Sequence, residues 1–237
     1  MITVDGRKML TTMEELVDPA HTVLLVVDIQ NDFCSPGGYF DKVGTDMSMI
    51  KMVPPRVKKV LESARRSGIL VVHIQHTLYP NNAASSGSFL RMGYIKMVMK
   101  QGESTEVADQ QPAPPAGVAL EGTWGWQIAD EVAARPGEII IRKHRSSSFS
   151  GTDLDMMLRT NDIKSVVVVG LVTEGCMGMT AIGAQFCDYY PIVLRDCVAS
   201  GNRELHEAML LILSNRMDVV DSSGVLEIWD KSWKNEG

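Results

Sequence analysis

A chain of 237 residues, 45% hydrophobic and 22% charged, has the make-up of an ordinary globular protein, not a disordered or fibrous one. A formal net charge of −6 with no Lys/Arg tract argues against a nucleic-acid or anionic-membrane partner, and nowhere do about 18 apolar residues run together as a transmembrane helix requires. The start "MITVDGRKML" carries no secretory core, and Cys34, Cys176, Cys187 and Cys197 form neither a CxxC pair nor a zinc-finger spacing, so free thiols in a reducing cytoplasm are expected.

Along the chain, "TVLLVVD" (22–28) is the first β-branched run, apolar up to Asp28. Continuous rather than alternating apolarity marks a strand covered on both faces. Val53–Arg66 follows with Val57, Val60, Leu61 and Ala64 at helical spacing, and Gly68 stops it. "ILVVHIQ" (69–75) reads as the second strand and "EIIIRK" (138–143), ending at Lys143, as the third. Between them lie roughly 60 residues, where a crossover usually takes a dozen or two. This insertion, at about 79–123, includes "YPNNAASSGS", the apolar "FLRMGYIKMVMK" and the Pro/Gln-rich "ADQQPAPPAG". An excursion over the sheet edge, a partner-binding arm and a poorly ordered segment all suit it.

Helical spacing also occurs over Trp126–Ala134, Asp153–Arg159, Cys176–Phe186 and Glu204–Leu213, with "SVVVVG" (165–170), "PIVLRD" (191–196) and "MDVVDS" (217–222) as further strands. No internal repeat is present, and residues 1–237 read as one domain. Alternating strand and helix predict an α/β fold with a mainly parallel sheet, its strand order not legible in the pattern.

In such a sheet, ligands bind outside the carboxyl ends of the strands, near the point where strand order reverses. Asp28 stands at the end of the first strand, Lys143 at the end of the third, and "GLVTEGC" carries Cys176 beyond the fourth. A thiol must be activated to act as a nucleophile; a nearby cation and a helix N-terminus favour thiolate, and a carboxylate can take and return its proton. Plainer readings stand beside this one. Asp28 could cap a turn, Lys143 could belong to the solvated patch "RKHR", and Cys176 could be a core residue. Where a phosphatase loop places its arginine this chain has Ile182, and the histidines that a Cys-His hydrolase would need, His144 and His206, stand beside the lysine and in a late helix.

"LLVVDIQNDFCSPGGYF", "IIIRKHRSSSFSGTDLDMML" and "VVVVGLVTEGCMGMTAIGAQFCDYYPIVLRDCVAS" together resemble, in order and spacing, the motifs of the isochorismatase-like cysteine hydrolases, over roughly residues 20 to 222. The resemblance implies a three-layer α/β/α fold with a six-stranded, mainly parallel sheet in the order 3-2-1-4-5-6. It implies that Asp28, Lys143 and Cys176 are the catalytic triad and that the Leu171–Val172 bond is a non-proline cis peptide. It also implies an oxyanion hole from the N–H groups of Val172 and Cys176, and a homodimer or homotetramer. Met177 stands where a Val commonly follows the cysteine.

Two departures narrow the class. Nicotinamidases of this family carry a metal site on an Asp-x-His with a second His beyond it, whereas "HIQHTLYPNN" offers His76 alone. No metal and no cofactor are therefore expected, with His76 a pocket-lining or structural residue. Isochorismatases proper lack the cysteine, so vinyl-ether hydrolysis is not expected either. C–N hydrolysis of a small amide or ureide remains, nearest to the ureidoacrylate, biuret and N-carbamoylsarcosine amidohydrolases. Phe33, Trp126 and Arg145 are candidate substrate contacts, Arg145 through a substrate carboxylate. Phe89–Met99 is a candidate lid or subunit contact. Two other readings stay open: a catalytically silent binding module, and a redox sensor in which Cys34 resolves an oxidised Cys176.

Overall fold

The computed structural model describes residues 1–91 and 117–235. Six strands form one all-parallel sheet: β3 (Thr22–Val27), β4 (Leu70–His76), β5 (Ile139–Lys143), β6 (Ser165–Leu171), β7 (Tyr190–Ala199) and β8 (Asp218–Val220). Their order, β5-β4-β3-β6-β7-β8, is the expected 3-2-1-4-5-6. Every residue of β3 and β6 is buried, which is why these runs are continuously apolar.

Successive side chains of a strand point to opposite faces, so each central strand feeds two cores. Leu24, Val26, Val167 and Val169 meet Val57, Val60 and Leu61 of a helix at Val53–Arg66, together with Val225 and Trp229 of a helix at Ser222–Asn235. On the other face, Val23, Leu25, Val166 and Val168 meet helices at Leu154–Thr160, Gly178–Phe186 and Arg203–Ser214. The layers are therefore α/β/α. Among the described residues no helix is long and apolar enough to cross a membrane.

Three local features depart from the sequence-based expectations. The stretch Trp126–Ala134 is not a helix but a series of turns ending in a 3-10 turn at Asp130–Val132. Its backbone bonds run sideways to the loop after β3 instead of up a helix: Asn31 N–H donates to Gln127 O, Asp32 N–H to Gly125 O, and Ala129 N–H to Ile29 O. The helix at Ser222–Asn235 was not expected, yet it buries Trp229 completely, with the indole N–H 2.8 Å from Val17 O. A small antiparallel hairpin, β1 (Ile2–Val4) with β2 (Arg7–Met9), precedes the sheet. Of the insertion, 79–91 and 117–123 are described, and most of the expected lid Phe89–Met99 lies outside the described residues.

The centre of the sheet is tight where its order reverses. Val27 of β3 pairs with Gly170 of β6, and a Cβ at Gly170 would lie 2.0 Å from Val27 O. Gly170 also holds a φ of +122°, a conformation L side chains rarely adopt. Both constraints require glycine there and let the carboxyl ends of β3 and β6 run close together.

Candidate active site

Asp28 leaves β3 at a φ of +51°, and its backbone N–H donates to Ile74 O on β4. Its Oδ1 accepts the His76 N–H at 2.9 Å. Gln30 reinforces the same junction: its Oε1 accepts the His76 N–H at 2.8 Å, and its Nε2 donates to His76 O and Trp126 O. Gln30 was not singled out from sequence, although it lies in the quoted motif "DIQNDF". These bonds fix the Asp28 carboxylate across the ends of two strands.

Lys143 closes β5, in register with His76 on β4. From there its ammonium reaches over β4 to Asp28, with Nζ 2.8 Å from Oδ2, and it donates to Arg145 O at 3.1 Å. The lysine is fully buried, and Asp28 almost fully. Burial alone would lower the Lys143 pKa, but the Asp28 carboxylate, then Cys176, raise it above its ordinary value. The Lys143 ammonium is thereby held in its charged form.

Cys176 lies in a π-turn at Thr173–Met177, just ahead of the helix Gly178–Phe186. The preceding Leu171–Val172 bond is cis, as the resemblance implied. Ligating atoms of Asp28, His76 and Cys176 all lie within 4.8 Å of one another. The expected lowering of the thiol pKa is not what this environment imposes. Burial first, and the Asp28 charge second, push the thiol up to about 12 against the pull of Lys143. The resting sulfur therefore keeps its proton, beside a carboxylate able to take it. Burial, and next the Lys143 charge, lower His76 to about 4, so its ring is neutral at pH 7.

A cavity of about 560 Å³ opens onto Asp28, Cys176, Leu171 and Val172. Phe33 and Arg145 line it, together with Phe89 from the start of the expected lid, His144, and three residues not singled out from sequence: Tyr39, Phe40 and Val118. They sit on loops that become neighbours only in the fold. Buried Asp32 ties two of those loops together, accepting the N–H groups of Tyr39 at 3.0 Å and Ala119 at 2.7 Å. Gly125 must be glycine because a Cβ there would lie 2.2 Å from the Asp32 carboxylate.

Trp126 does not join the cavity. Its indole N–H donates to Thr77 Oγ1 at 2.9 Å, and the Arg142 guanidinium lies 4.9 Å from the ring centroid on another face. Arg145 reaches the cavity with its Nη1 already donating to Ala84 O at 2.6 Å and His144 O at 2.8 Å. Cys34 belongs to the core on the opposite side of the sheet from the one Cys176 packs against, and its S–H donates to Gln30 O. Cys34 is not among the residues that line the cavity of Cys176.

Asp28, His76 and Cys176 are the one group of three potential metal ligands among the described residues. They do not fit a resident metal. A divalent cation there would have to displace Lys143 from Asp28 or sit against its ammonium.

A thiol, a carboxylate and an ammonium thus meet where the strand order of a parallel sheet reverses. The chain belongs to the isochorismatase family: the Isochorismatase domain model matches residues 22–223. The fold is shared with a cysteine hydrolase from Pseudomonas syringae pv. phaseolicola 1448A, at a TM-score of 0.73 and 19% identity over 92% of this chain and 96% of that one. An isochorismatase-like hydrolase from Alkaliphilus metalliredigens is similar at a TM-score of 0.66 and 27% identity, covering 88% and 99% of the two chains. An N-carbamoylsarcosine amidase from Thermoplasma acidophilum is similar at 0.61 and 28%, covering 85% and 96%.

Proposed function

We propose that this chain is a cysteine-dependent amidohydrolase, cleaving the C–N bond of a small amide or ureido compound through a thioester on Cys176. The observation that carries this reading is the buried Asp28–Lys143 pair, 2.8 Å apart, beside the Cys176 thiol at the cavity floor. Similarity to an N-carbamoylsarcosine amidase supports a C–N bond as the one broken.

With the thiol held protonated, attack and deprotonation occur together. As the Cys176 sulfur bonds to the substrate carbonyl carbon, its proton passes to Asp28. Lys143 keeps Asp28 oriented and stabilises the negative charge that moves between carboxylate and sulfur. The backbone N–H groups of Val172 and Cys176 receive the carbonyl oxygen as it becomes an oxyanion, each donor contributing about 3 kcal/mol by the usual measure of such groups. Asp28 gives its proton to the departing nitrogen, the C–N bond breaks, and ammonia or an amine leaves. Water then attacks the thioester and loses its proton to Asp28. The C–S bond breaks, an acid or carbamate departs, and the proton returns to sulfur.

Phe33 and Arg145 contact the substrate in this reading. The enzyme acts in the cytoplasm as a homodimer or homotetramer, without a metal or other cofactor.

The experiment is ammonia release from amides, biuret, ureidoacrylate-like compounds and N-carbamoyl amino acids, with wild type and Cys176→Ala compared. Release that falls by about three orders of magnitude or more in the variant supports a nucleophilic thiol. Silence across the panel, with Cys176 slow to react with iodoacetamide, would put the silent binding module first.

A further inference from the structure

Five rings form a continuous belt beside the reactive thiol. Tyr39 and Phe40 have centroids 6.4 Å apart, Phe40 and Phe33 5.2 Å, Phe33 and His76 6.2 Å, and His76 and Phe89 6.3 Å. All five residues line the cavity that holds Cys176. A belt built only to fill a core would be closed over, yet Phe89 is 47% exposed, and Phe33, Tyr39 and Phe40 are only partly buried. Arg145 is the one cation in the lining among the described residues, and its Nη1 is engaged by Ala84 O and His144 O. That bond secures the 79–91 stretch, which carries Phe89, to the loop after β5.

Size points the same way. At about 30 Å³ for each water-sized group, a cavity of about 560 Å³ has room for on the order of eighteen such groups. A urea or biuret molecule would leave most of that space, and most of the aromatic surface, wet. Apolar surface left against water contributes nothing to binding, whereas an apolar substituent placed there is taken out of water over much of its area.

Resting on the amidohydrolase reading, we infer that the preferred substrates are neutral carboxamides whose acyl side is apolar and of aromatic size. The acyl side is the half concerned because it stays bonded to Cys176 after the nitrogen has left. Its contacts with the belt thus persist through both acylation and hydrolysis. Substrates defined by a carboxylate or by a second ureido nitrogen do not use this surface.

The test is kcat/KM for ammonia release from acetamide, hexanamide, benzamide, biuret and N-carbamoylglycine, each with wild type, Cys176→Ala and Phe89→Ser. Since one methylene in an apolar pocket is worth about tenfold or more in discrimination, benzamide or hexanamide should exceed acetamide by at least that factor and should also exceed both ureido compounds. Phe89→Ser, on the half-exposed rim, should lower kcat/KM for benzamide and hexanamide several-fold more than for acetamide. Cys176-dependent turnover that favours biuret or N-carbamoylglycine would overturn this inference and leave the amidohydrolase reading standing. An equal effect of Phe89→Ser on acetamide and benzamide would also overturn it. No Cys176-dependent turnover of any compound would overturn both.

Discussion

Lys143 Nζ lies 2.8 Å from Asp28 Oδ2, with both side chains withdrawn from solvent and drawn from strands that are not neighbours. Each charge in that position is tolerable only because of the other. Removing one partner strands the second, at a typical cost of about 3–5 kcal/mol. Lys143→Met should therefore lower the urea midpoint strongly, while the double variant Asp28→Asn/Lys143→Met should recover much of the loss. Activity should be absent from both. Recovery of turnover together with stability in the double variant would show that the pair serves folding alone.

Asp28 should influence the thiol in two opposite senses. Its charge helps push Cys176 up to about 12, so neutralising it favours thiolate. Asp28→Asn should thus speed alkylation of Cys176 by iodoacetamide at pH 8 and shift the alkylation profile to lower pH. Turnover should fall in the same variant because the proton acceptor is gone. Slower alkylation in Asp28→Asn would mean that Asp28 activates the resting thiol.

A second, partly buried network sets an acid limit on stability. Glu138 accepts Arg65 Nε at 2.7 Å and Arg65 Nη2 at 2.9 Å, with His73 Nε2 at 3.0 Å. Burial alone would raise its pKa, but Arg65 above all, with the Arg135 N–H and His73, holds it at about 2 against an ordinary 4.5. The unfolded chain binds the extra proton first as pH falls. The contribution is complete above about pH 4.5 and disappears as pH drops toward 2. Denaturation curves between pH 6 and 2.5 should fall less steeply for Glu138→Gln, which should also be the less stable protein at neutral pH. Parallel curves for the two proteins would contradict this assignment.

Trp126 gives a control outside the cavity. Trp126→Phe should cost about 1 kcal/mol through loss of the indole bond to Thr77, since a net hydrogen bond is worth about that much. KM for any substrate should be unchanged. A raised KM with unchanged stability would return Trp126 to the substrate contacts.

What the sequence disclosed and what it hid have separate physical causes. The central strands are legible because burial on both faces leaves β3 and β6 no polar position to alternate with. Asp28, Lys143 and Cys176 could be singled out because strand ends are marked by the change from apolar runs to polar and glycine residues. Trp126–Ala134 misled because helical spacing is a property of side chains, whereas its backbone partners lie far away in sequence, at Ile29–Asp32. The aromatic belt escaped notice because Phe33, backed by Phe40 and Tyr39, meets His76, and His76 meets Phe89, only once separate connections fold together over the sheet edge. The direction of the thiol pKa depends on burial, which no local motif encodes.

The covalent step is the centre of the account, and partitioning with hydroxylamine tests it most directly. Amides that share an acyl group but differ in leaving amine should all give the same ratio of hydroxamate to free acid, because all pass through one thioester on Cys176. A ratio that changes with the leaving amine would mean that water displaces nitrogen directly, and that Cys176 is not the nucleophile.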